Sequence, residues 1–122
     1  MPYEFDRSYY RIEYPPPARP RFVAADGRVW PVDNCSETGF RYQTSAARLT
    51  ETELPEVGSP VSGRLEVHDG ATAPVAGAVV RVSDGDVAVR LDGTSVPLPI
   101  IWAEQRYLRA RYPERFGGES NR

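Results

Sequence analysis

The chain has 122 residues, 40% of them hydrophobic, with 15 basic and 17 acidic side chains and a net charge of −2. That fits one ordinary globular domain whose core needs neither disulfide nor metal, and it excludes the broad basic face of a general nucleic-acid binder. The single cysteine, Cys35, rules out an internal disulfide; with no Cys/His cluster it also argues against a structural zinc site and for a reducing compartment.

The N-terminus, Met1-Pro2-Tyr3-Glu4-Phe5-Asp6, has neither the basic start nor the apolar stretch of a signal peptide. No segment approaches the ~20 apolar residues of a membrane span. A cytoplasmic chain without membrane insertion is therefore expected. Residues 1–17 read as an arm, because Pro15, Pro16 and Pro17, with Pro20 behind them, break both helix and central strand. Arg21 to Ala25 and Arg28 to Asp33 read as strands around Asp26-Gly27, a hairpin signal. Gly39 to Thr44 reads as a third, with Phe40 and Tyr42 on one face and Arg41 and Gln43 on the other. Residues 46–57 form a connector. Val61 to His68 alternates, and Val75 to Val82 pairs with Val87 to Leu91 around Ser83-Asp84-Gly85-Asp86. After Pro97 and Pro99 the period becomes helical through Ile100, Ile101, Tyr107, Leu108 and Tyr112, until Pro113 and Gly117-Gly118 stop it. Five to six short strands followed by one helix predict a small antiparallel barrel or sandwich. Residues 18–113 form that domain, and 114–122 a tail.

No catalytic constellation is visible. His68, the one histidine, falls on the polar face of its strand without a nucleophile nearby in sequence and reads as a surface residue; there is no phosphate-cradling glycine loop. The chain is expected not to be an enzyme and to need no cofactor. A small hydrolase lacks a nucleophile–base pair, and an oligonucleotide-binding barrel lacks a basic, aromatic groove.

Two short elements stand apart. In Arg7-Ser8-Tyr9-Tyr10-Arg11 the two arginines can converge on one anion whether the arm is helical or extended. The plain alternative is a solvated arm. All 15 basic residues are arginine, which suits bidentate phosphate recognition, although a GC-rich genome gives the same bias. In Asn34-Cys35-Ser36-Glu37-Thr38-Gly39, alternation turns Cys35 toward the core and Asn34 and Ser36 outward as hydrogen-bonding groups. Gly39 there allows a restricted backbone or a close ligand, and the plain alternative is a polar turn.

Taken together, an RxxxR followed after 22 residues by (D/N)xSxxG resembles the PilZ domain family. The likeness continues through Tyr9-Tyr10-Arg11-Ile12-Glu13-Tyr14-Pro15, the strand Gly77 to Val82 and the helix from Glu104 to Pro113. It implies an all-β fold: a six-stranded antiparallel barrel, split and Greek-key-like, with a C-terminal helix. It also implies a receptor for the bacterial second messenger cyclic di-GMP. Arg7 and Arg11 would take its phosphates and guanines, Asn34 and Ser36 would hydrogen-bond it, Gly39 would leave room, and Arg81 would add a further contact. The arm would change conformation on binding and the signal would pass in trans to an unidentified protein controlling motility, biofilm or exopolysaccharide. The rival within the family is a nucleotide-independent interaction module, for example in type IV pilus assembly. One departure is Asp6, where many nucleotide-binding members carry another arginine; a carboxylate there would repel phosphate or compete for Arg7.

Overall fold

A computed structural model describes residues 11–47, 49–50 and 52–114. Strands β1 (Ile12–Glu13), β2 (Arg21–Ala24), β3 (Val29–Ser36), β4 (Gly39–Gln43), β5 (Pro60–Glu66), β6 (Thr72–Ser83) and β7 (Asp86–Leu91) precede one helix, α1 (Leu98–Arg111). Single 3-10 turns cover Pro16–Ala18 and Ser45–Ala47.

All pairings are antiparallel. Around the sheet the order runs β2, β3, β4, β7, β6, β5 and back to β2, a closed six-stranded barrel with β1 as an extra strand on β3. Strands β2 to β4 follow one another through hairpins, and the long connector then returns β5 to the side of β2, which is Greek-key connectivity. At the β6–β7 turn, Asp84 and Gly85 both adopt positive φ, 52° and 86°, the backbone a tight two-residue hairpin demands.

The inward residues of each strand fill the barrel: Phe22, Val32, Leu65, Val79 and Val87 are almost wholly buried. Pro99 lies in the first turn of α1, where its missing N–H costs nothing. Ile101, Glu104 and Leu108, spaced for one helix face, are the buried residues of α1; Ile101 and Leu108 join the barrel core.

Glu104 is the polar exception on that face. Its carboxylate accepts from the Tyr14 hydroxyl at 2.6 Å, from the His68 backbone N–H at 3.2 Å and from His68 Nδ1 at 3.0 Å. The His68 ring also stacks on Tyr107, centroids 4.0 Å apart. His68 is therefore not a freely solvated residue: it lies beyond the end of β5, partly buried against α1.

Two further differences bear on function. Strand β3 does not stop at Asp33 but runs to Ser36. Asp33 is accommodated by an irregularity between Val32 and Asn34, and β1 pairs with the extension, Ile12 opposite Cys35 and Glu13 opposite Asn34. Ile12 and Glu13, which come before the prolines, thus join the sheet.

Candidate functional site

Beyond Asp33 the outward residues of β3 are Asn34 and Ser36. A two-residue turn, Glu37-Thr38, leads into β4, so the run from Asn34 to Gly39 is mostly strand. Across β4, Gly39 and Arg41 continue the outward face. Register then places Gly39 opposite Arg90 and Arg41 opposite Ala88 of β7. On β6 a second irregularity, between Val79 and Arg81, leaves Val80 half-exposed and turns both Val80 and Arg81 toward the same patch. Such bulges re-aim side chains; here one flanks the patch on each side.

The result is a shallow depression of about 210 Å³ lined by Arg11, Asn34, Ser36, Gly39 and Arg81, together with Arg41, Val80 and Arg90. Five of the six residues singled out from the sequence thus meet in one place. The sixth, Arg7, lies outside the described residues. Arg41 and Arg90 were not anticipated. For Arg41, the outward alternation of its strand was a usable signal. For Arg90, only the β4–β7 pairing brings it beside Gly39.

Local chemistry sets each group. Asp33 is buried and accepts from Arg41 Nε at 2.9 Å and from Gln43 Nε2. That hydrogen bond, chiefly, raises Arg41 above its ordinary value, with the charges of Asp33, Asp86 and Glu13 contributing and partial burial opposing. Arg41 is therefore a fixed cation with one edge already held. Asn34 faces outward as expected but is buried. Its Nδ2 donates to Glu13 Oε2 at 2.9 Å, and its Oδ1 accepts from Arg11 Nη1 at 3.5 Å. The Ser36 hydroxyl accepts from the Thr38 N–H at 3.3 Å and reaches Gly39 O at 3.5 Å, so Ser36 also shapes the turn.

Gly39 has an ordinary backbone conformation. A side chain there would begin 2.5 Å from the Val89 carbonyl oxygen; close approach of β7, rather than a ligand, is sufficient reason for glycine.

No protein-family model matches the chain, and no curated protein matches it. The site therefore rests on its own geometry. A second depression, about 300 Å³, opens where β2 ends and β3 and β5 begin, over Phe22, Trp30 and Tyr42. Its described cation, Arg28, is paired with the adjacent Asp26. An anion finds four guanidiniums at the first depression, one of them, Arg41, held by Asp33, and a single guanidinium at the second. Among the described residues no group of three or more His, Cys, Asp or Glu could hold a metal, and no helix is long and apolar enough to cross a membrane.

Proposed function

We propose that this chain is a bacterial, cytoplasmic receptor for cyclic di-GMP that signals in trans to a partner protein. The observation that carries the reading is the convergence of Arg11, Arg41, Arg81 and Arg90 with Asn34 and Ser36 on one face, in a molecule whose net charge is −2. Arginine suits this ligand on three counts. It pairs bidentately with phosphate, reaches guanine O6 and N7 with parallel donors, and stacks its plane on a base. Half-exposed Val80 offers an apolar surface beside it. Clefts that enclose a small molecule run to about 300–1,000 Å³, so this depression seats only part of a cyclic dinucleotide and the rest lies across the barrel face.

Binding would exchange the Arg11–Asn34 contact for contacts to phosphate and so shift the arm. Tyr14, three residues on, is hydrogen-bonded to Glu104, which couples that shift to α1. A partner would read the altered surface. Isothermal titration of the full chain with cyclic di-GMP at micromolar concentrations tests the reading. Heat is expected from the wild type and none from Arg11→Ala, with Arg90→Ala weakened about tenfold and both variants folded by circular dichroism. No heat from the wild type would falsify the receptor reading. One observation favours the rival, a nucleotide-independent interaction module: Asn34 already has its amide engaged by the arm.

A further inference from the structure

The arginine cluster has a carboxylate at its edge that the motif does not include. Glu13 stands opposite Asn34 in the β1–β3 register, where facing side chains are neighbours. Its Oε2 accepts the Asn34 Nδ2 proton at 2.9 Å, a charge-assisted bond of the stronger kind. The same amide accepts from Arg11 at 3.5 Å, so Glu13 and Arg11 hold opposite ends of one side chain. Glu13 is itself exposed and lies close enough to Arg41 to act on its charge. An anion approaching Arg11 and Asn34 therefore meets a fixed negative charge and must compete for the amide.

That repulsion grows with the charge of the ligand. A cyclic dinucleotide carries two phosphodiester charges; its linear hydrolysis product keeps one phosphodiester and gains a terminal phosphomonoester of about −1.5 to −2 at neutral pH. We propose, resting on the cyclic dinucleotide reading above, that Glu13 is a specificity-determining residue whose carboxylate occupies Asn34 and penalises anions by their charge, offsetting part of the arginines' pull on the more highly charged linear dinucleotide and so shifting selectivity toward the cyclic one. Among the described residues, the neighbouring carboxylate of Asp33 is instead turned to Arg41 and Gln43.

The test is titration of wild type, Glu13→Gln and Glu13→Ala with cyclic di-GMP and with linear 5′-phosphoguanylyl-guanosine, at low and high salt. Both variants are expected to bind the cyclic ligand about three- to fivefold more tightly and the linear one about tenfold or more. The ratio of cyclic to linear affinity then falls, and the effect fades as salt screens it. Glu13 is exposed, so the variants will fold. Unchanged or weaker binding by both variants, with the wild type binding normally, overturns this inference and leaves the receptor reading standing. Absence of binding by the wild type, whatever the variants do, removes the receptor reading and this inference with it.

Discussion

Cys35 lies one residue from Asn34 and one from Ser36, yet faces the other way. Strand alternation made that division legible in the sequence, and the thiol is buried in the core. What alternation could not show is that the outward neighbours would also be buried, because the covering residues come from β1, more than 20 positions earlier. Burial first, and then the Glu104 carboxylate, push the Cys35 thiol up to about 12. At pH 8 it is therefore protonated and unreactive. Iodoacetamide at that pH is expected to leave Cys35 unmodified in the folded protein and to alkylate it in guanidinium chloride, as read by mass spectrometry; rapid alkylation without denaturant would contradict the packing.

Glu66 is the opposite case, a partly exposed group held by partners. Hydrogen bonds from Arg21 and then Arg64 keep its carboxyl below its ordinary value of 4.5. A depressed carboxyl contributes stability that is complete above the unfolded value and is lost as pH falls through the folded one. Glu66→Gln should accordingly melt slightly lower than wild type at pH 7, and the gap should close as pH is taken well below 4.5. The gap should be small throughout, since solvent screens exposed pairs. A gap that widened in acid would refute the assignment.

Elements were legible where periodicity was strong. The alternation from Val61 and the Asp84-Gly85 turn located β5 and the β6–β7 hairpin, and the change of period after Pro97 located α1. What failed was tertiary in origin. The polar run at Asn34 reads as a turn, but β1 supplies backbone partners that keep it in a strand. His68 reads as solvent-facing, but α1 folds over it. The helix is held there by more than apolar contact, since Glu104 ties Tyr14 and His68 together. Glu104→Ala would leave the buried Tyr14 hydroxyl and the part-buried His68 donors without their acceptor, at about 2–4 kcal/mol; Tyr14→Phe removes one bond and should cost about 1–2 kcal/mol. Urea unfolding checks both. Equal, negligible losses would mean that the clamp contributes nothing to docking α1.

At the scale of the molecule, closure of the barrel assembles the site. Arg11, Arg41, Arg81 and Arg90 belong to four separate segments, and no local pattern joins Arg90 to the motif. Only the β4–β7 and β6–β7 pairings do. The seam between β6 and β7 depends on Gly77, where an added side chain would run into the Arg90 carbonyl. Gly77→Ala is expected to destabilise the fold by about 2–4 kcal/mol, measured by urea unfolding. Because the clash falls on Arg90, whatever folded protein remains should, on the receptor reading proposed above, bind cyclic di-GMP less tightly; wild-type stability would show that the two strands are not so closely packed.

Closure has one more effect, on how copies of this protein meet. An open sheet ends in rows of unpaired N–H and C=O groups on which a neighbouring chain can continue the ladder, the usual start of aggregation. Among the described strands, the six of the barrel each have a neighbour on both sides, and the odd one out, β1, is two residues long. A crowded cell therefore finds almost no template here for sheet growth between molecules.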